Sequence, residues 1–92
     1  MNIIQEDNGQ RGGFFAIKDG NNIGEMTYVW SGEGKIIVDH TEVKIQYEGQ
    51  GIGSSLFKNL VEFARENNIQ VIPICPFSLA MFKKTPDSQD VL

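Results

Sequence analysis

The spacing of apolar residues changes character near the middle of the chain. Up to residue 45 they recur at every second position in short runs separated by turn residues. After residue 50 they recur at intervals of three and four. A period of two marks half-buried strands, and a period near 3.6 marks an amphipathic helix. Met1 to Gln5 reads as a short edge strand closed by the Asn8-Gly9 turn signal. Gly13 to Lys18 and Ile23 to Trp30 read as strands joined through the hairpin turn Asp19-Gly20-Asn21-Asn22. Met26, Tyr28 and Trp30 fall on one face of the second of these, with Thr27 and Val29 on the other. Ser31-Gly32-Glu33-Gly34 is a second hairpin loop, and Lys35 to Ile45 is long enough for a central strand. Under strict alternation Ile36 and Val38 share a face with His40, and Ile37 and Val43 share one with Asp39. Apolar residues on both faces predict a sheet covered by helices on each side.

The helical pattern runs from about Gln50 to Asn67. Ile52, Leu56, Leu60 and Phe63 form its apolar stripe, widened by Phe57, Val61 and Ala64. Asn67-Asn68 supplies the left-handed residue that ends a helix. Ile69 to Ile74 then reads as a strand, and the strand–helix–strand order makes it parallel to the one before the helix. Pro73 cannot donate to a ladder, which argues against a fully paired central strand. Phe77 to Lys84 reads as a short helix stopped by Thr85-Pro86, and Asp87 to Leu92 as a loose tail. The predicted fold is a mixed α/β domain over residues 1–92, with a mainly antiparallel sheet, one long helix and one short one.

Composition removes several function classes. Twelve acids against eight bases give a net charge of −4. That disfavours non-specific nucleic-acid binding, which depends on neutralising phosphates with Lys and Arg. A single cysteine excludes an internal disulfide, and one His with one Cys cannot make a structural zinc site. No apolar run approaches the ~18 residues of a membrane span, and the first residues lack the basic and apolar regions of a signal peptide. The expectation is a cytoplasmic protein, a monomer or weak dimer, without nucleic-acid or membrane partners.

The chemistry concentrates at Gln46-Tyr47-Glu48-Gly49-Gln50-Gly51-Ile52-Gly53, between the last alternating strand and the long helix. Glycines there let the backbone curl close to a ligand, and the free N–H groups of a helix start favour an anion. The turn therefore predicts a phosphate or pyrophosphate cradle. A P-loop would need Gly-x-x-x-x-Gly-Lys-Ser/Thr, but here Ser54 and Ser55 follow the glycines. A dinucleotide fingerprint counted from Gly49 would put Ser54 at its third glycine, with Asn68-Ile69-Gln70 where an acid belongs. The pattern Gln/Arg-x-x-Gly-x-Gly/Ala is met at each fixed position.

That last pattern is the coenzyme A motif of the GCN5-related N-acetyltransferases. Together with Asp39-His40-Thr41-Glu42-Val43 before the turn and Val71-Ile72-Pro73-Ile74-Cys75-Pro76-Phe77 after the helix, the chain resembles a small subfamily of these proteins. The resemblance covers roughly Phe14 to Pro86. It implies a minimal version of that fold, with the two parallel strands splayed to admit the pantetheine arm of acetyl-CoA. It implies backbone contacts to the coenzyme from Thr41, Glu42 and Val43, alongside the cradle residues Gln46, Glu48, Gly49, Gln50, Gly51, Ile52, Gly53 and Ser54. The chain departs from larger relatives in ending before their last strands and in lacking a tyrosine in its final helix. The small subfamily's His-Pro pair is Thr85-Pro86 here.

Two side chains are candidate catalysts. His40, the one histidine, suits proton removal from an amine, against the alternative of a structural histidine. Asp39 and Glu42 are lesser candidates for the base. Cys75 closes the strand lining the expected pantetheine gap and could accept an acyl group or protonate a departing thiolate. A buried small hydrophobe is the alternative. Trp30 and Tyr28 read as packing, and Lys83-Lys84 as a solvated helix face. The expected activity is acetyl transfer from acetyl-CoA to an amine acceptor by direct attack. The alternatives are a non-catalytic CoA-binding module and a small interaction protein on the same scaffold.

Overall fold

The computed structural model describes all 92 residues. Four strands come first: β1 (Asn2–Asp7), β2 (Arg11–Lys18), β3 (Asn21–Trp30) and β4 (Lys35–Val43). Helix α1 (Ile52–Glu66), strand β5 (Gln70–Pro73) and helix α2 (Pro76–Lys84) follow, with short 3-10 turns at Ile45–Tyr47 and Pro86–Val91. The sheet order is β1-β2-β3-β4-β5. The first three pairings are antiparallel and β4–β5 is parallel. The Asp19-Gly20 loop takes positive φ at both residues, 51° and 78°, the pairing that a two-residue type I′ hairpin needs. At the end of α1, Asn68 is left-handed with φ 54°. Ile69 N–H then bonds the Ala64 carbonyl at 2.8 Å, a Schellman closure.

The core lies on one face of the sheet, not both. Phe14, Ala16, Met26, Tyr28, Ile36, Val38 and Val71 from the strands join the buried residues of α1 and α2 in a single cluster. On the opposite face Phe15, Ile17, Val29 and Ile37 are only half-buried. Their apolar character reflects cross-strand packing rather than a second helical layer.

A bulge in β4 overturns the expected facing of His40. Thr27 pairs with His40 and Tyr28 with Val38, so Asp39 is the extra residue. One inserted residue reverses the alternation downstream. Val38 and Thr41 therefore point to the core side, while His40 and Glu42 share the open face with Thr27 and Glu25. Asp39 is pinned by Thr27 Oγ1 at 3.0 Å and by the Arg11 guanidinium at 3.1 Å.

β5 pairs with β4 only from Lys35↔Gln70 to Val38↔Pro73. The N–H groups of Ile74 and Cys75 then converge on the Val38 carbonyl, at 3.0 and 3.2 Å. Past that point the two strands part. Lys44 N–H bonds Ile23 on β3 at 2.9 Å. Because successive peptide groups along a strand alternate sides, those of Thr41 and Val43 face the opened gap.

The last residues are docked and not a loose tail. Ser88 and Val91 are buried. Arg65 on α1 holds both Asp90 oxygens, at 2.8 and 2.6 Å, and the Asp87 carbonyl at 3.0 Å. The sequence expectation failed here because a single valine gives no periodicity to read. No helix is long and apolar enough to cross a membrane.

Candidate coenzyme groove

α1 begins without a side-chain cap. Its N-cap is Gly51, in the left-handed conformation at φ 80°, and Gly49 sits at φ 79°. A Cβ at either glycine would meet nothing within 4 Å, so backbone conformation is what calls for glycine there. The first hydrogen bond of the helix runs from Ser55 N–H to the Gly51 carbonyl, at 3.0 Å. The six N–H groups from Gly49 to Ser54 make no backbone hydrogen bond within the protein. Consecutive unpaired amides at a helix start form a concave donor set suited to phosphate oxygens.

These residues form one wall of a groove of about 400 Å³. Thr41 and Val43 of β4, with Tyr47, close one side, and Phe77, Met81 and Lys84 of α2 close the other. Gly53 is tight for a different reason than its neighbours: a Cβ there would lie 2.6 Å from the Phe77 ring. The two helices can approach because that position has no side chain.

Eight of the expected coenzyme contacts line the groove: Thr41, Val43, Glu48, Gly49, Gly51, Ile52, Gly53 and Ser54. Glu42, Gln46 and Gln50 are not among the lining residues. The Glu42 carboxylate turns instead to the open face, 3.5 Å from His40 Nε2. Tyr47, Phe77, Met81 and Lys84 line the groove and were not among the contacts expected from the sequence, where Lys84 was read as part of a solvated helix face. Phe77, Met81 and Lys84 recur at i, i+4 and i+7, a stripe on one helix face, and that spacing was the available signal.

Cys75 sits just behind the groove. It is buried and is the N-cap of α2. Its sulfur lies 3.4 Å from Thr41 Oγ1, 3.0 Å from Ser78 Oγ and 3.4 Å from the Ser78 amide. His40 is on the opposite side of β4, half exposed. Its Nε2 lies between Glu25, at 3.7 Å, and Glu42, at 3.5 Å.

The strongest electrostatic perturbation lies at the other end of the sheet. Burial, then the hydrogen bond to Asp7 at 2.6 Å, raises the Tyr28 hydroxyl pKa well above its ordinary value. For Asp7, partial burial likewise pushes the carboxyl pKa up. Hydrogen bonds from Tyr28, the Gly9 amide and the Trp30 indole outweigh it and lower the carboxyl pKa. With its oxygens occupied, this carboxylate ties β1 to β3.

A model of the GCN5-related N-acetyl-transferase family matches residues 13–91. A GCN5-like protein of Staphylococcus aureus, known from a solution structure, is 35% identical with a TM-score of 0.73, over 98% of this chain and 87% of its own. The ribosomal-protein-alanine N-acetyltransferase of Brucella melitensis is 21% identical with a TM-score of 0.70, over 84% of this chain and 62% of its own. AAC(6')-Iy, in complex with the bisubstrate analogue CoA-S-monomethyl-acetylneamine, is 13% identical with a TM-score of 0.59. It is matched over 88% of this chain and 62% of its own, so this chain spans about three fifths of these two longer proteins. At these identities the latter two likenesses concern the fold. Comparison with functionally curated proteins gives no match. The family match spans nearly the whole folded chain and includes the groove and both its walls: the chain belongs to the GCN5-related N-acetyltransferase family.

Proposed function

We propose that the protein binds acetyl-CoA in this groove and transfers the acetyl group to an amine by direct attack. The observation that carries the reading is the run of six unbonded amides, Gly49 to Ser54, in a turn whose residues other than Gln50 line the groove. Membership in an N-acetyltransferase family supports it. The amides and the α1 dipole would hold the pyrophosphate. The free peptide edge at Thr41 and Val43 would pair with the amide groups of the pantetheine arm. The thioester end then lies toward Thr41, where a gap-facing N–H of β4 can stabilise charge developing on the carbonyl oxygen. The acceptor approaches from the open face, and His40, directly or through a water, takes its proton. Cys75 touches Thr41 and lies close to that end. Its burial and its bonds to Ser78 fit a structural cap better than a nucleophile. A second reading, a coenzyme-binding module without turnover, is favoured by the placement of His40 across the strand from the groove.

One set of measurements tests both readings. Binding to the native state alone raises stability by about 2.7 kcal/mol at a hundredfold excess over Kd. Acetyl-CoA should therefore raise the melting temperature, whereas NAD and ATP at the same concentrations should raise it far less. Gly51→Glu, checked for folding by circular dichroism, should abolish the shift. Release of free CoA with a panel of amines separates enzyme from module, and His40→Ala should lower it ~10²-fold or more with coenzyme affinity kept. Absence of a shift in the unaltered protein would sink the coenzyme assignment. A shift without CoA release across the panel would favour the module.

A further inference from the structure

We propose that Lys84 selects the phosphorylated coenzyme, its ammonium contacting the phosphates at the nucleotide end of the groove. The inference rests on the acetyl-CoA reading above and extends it to a residue outside the glycine turn. Of the 12 residues lining the groove, Lys84 is the one cation and Glu48 the one acid. An uncompensated Glu48 carboxylate would repel a phosphate. Lys84 supplies the opposite charge on the facing wall, and no carboxylate lies within 4.0 Å of its ammonium. Lys18, whose ammonium is 5.3 Å from the ring centroid of Tyr47, and Lys44, next to Val43, are not among the lining residues.

Helix α2 sets which part of a ligand Lys84 can reach. At its N-terminus Cys75 meets Thr41, beside the gap between the strands. Within its first turn, Phe77 packs on Gly53 at the first turn of α1. Met81 and then Lys84 continue the same face. Nine residues of helix place Lys84 about 13 Å along the axis from Cys75. It therefore stands far from the thioester end and toward the mouth, where the amides of α1 are already arranged for anions. The competing role is a purely local one. A lysine in the last turn of a helix is favoured by the dipole whatever the helix faces.

Calorimetric titration distinguishes the two roles. Acetyl-CoA, acetyl-dephospho-CoA and acetyl-pantetheine are titrated into the unaltered protein, Lys84→Gln, Lys84→Arg and Lys83→Gln. Lys83 is exposed and does not line the groove, so Lys83→Gln is a control with the same change in net charge. Lys84→Gln should weaken acetyl-CoA about tenfold or more, as expected for loss of a hydrogen bond to a charged group. Lys84→Arg should restore most of the affinity, and acetyl-pantetheine should bind all four proteins alike. A loss that persists with acetyl-dephospho-CoA assigns Lys84 to the pyrophosphate. A loss that disappears assigns it to the 3′-phosphate. Either supports the proposal. An effect of Lys84→Gln no larger than that of Lys83→Gln overturns it in favour of the dipole role, while binding by the unaltered protein keeps the acetyl-CoA reading intact. Failure of the unaltered protein to bind acetyl-CoA overturns both.

Discussion

Tyr28 has no solvent exposure, yet its hydroxyl reaches Asp7. It does so over Gly12, where a Cβ would lie 2.5 Å from the phenolic oxygen. A glycine within a strand weakens it, and here, near the start of β2, the missing side chain makes the crossing possible. Gln5 adds a hydrogen bond to the same oxygen at 2.9 Å. Because the folded state raises the hydroxyl pKa, the sign of the linkage is fixed. The folded state holds the proton more tightly than the unfolded one, so the contribution is complete below the ordinary tyrosine value of about 10 and is lost as pH rises above it. Asp7 behaves oppositely: its lowered pKa contributes above about pH 4 and is lost as pH falls through the folded value. Tyr28→Phe should cost on the order of 1 kcal/mol at neutral pH, a typical hydrogen-bond contribution. It should also flatten the fall of unfolding free energy above pH 10. Denaturant titrations at pH 7, 10 and 11 check this. A variant whose alkaline slope matches the unaltered protein would show that Tyr28 is not the group responsible.

Among the elements, the terminal 3-10 turn offers a direct comparison of packing with charge. Val91 is in the core cluster, whereas Arg65 and Asp90 form their two hydrogen bonds in solvent. Exposed ion pairs are worth little, and burying a methylene is worth about 0.8 kcal/mol. Val91→Ala should therefore destabilise by about 1–2 kcal/mol, and Asp90→Asn by a small fraction of that, as read from urea midpoints. The reverse order would mean that the guanidinium, and not the valine, anchors the turn. The same contrast explains which elements could be read from the sequence. The hairpins and α1 were legible because Asp19-Gly20, Asn68 and the apolar stripe are local causes of local structure. The turn at Pro86–Val91 was not, since it depends on a surface made by α1, 20 residues earlier and more. The facing of His40 failed for a related reason. The bulge at Asp39 depends on Thr27 and Arg11, on two other strands, and no alternation within β4 announces it. The glycine turn was legible in its function-bearing part because φ > 0 at Gly49 and Gly51 is a demand only a few residue types meet. The α2 wall was missed because an i, i+4, i+7 stripe of Phe77, Met81 and Lys84 looks like an ordinary packing face until a groove is seen beside it.

At the scale of the whole molecule the groove is a seam between two unequally joined halves. The meander β1 to β4 is held by three antiparallel pairings along most of their lengths. The second half, β5 with α2 and the terminal turn, joins the sheet along the short parallel stretch from Lys35↔Gln70 to Val38↔Pro73, with the Ile74 and Cys75 amides on Val38 and the Cys75–Thr41 contact at its end, and otherwise packs on α1. Local opening follows the weakest cooperative unit, so β5 and α2 should open below the global unfolding free energy while β2 and β3 open only with it. Thr41 and Val43 belong to the first half, and Phe77, Met81 and Lys84 to the second. A ligand in the groove bridges both and is lost if α2 departs. Acetyl-CoA should therefore slow amide hydrogen exchange most in α2 and β5, and in α1's first turn, with β2 and β3 changing least under conditions where exchange is by local opening. Hydrogen-exchange mass spectrometry with and without acetyl-CoA checks this peptide by peptide. Uniform protection across β2 and α2 would show that the two halves unfold as one unit, and protection centred on the open face around His40 would place the ligand on the wrong side of the sheet for the seam to be its site.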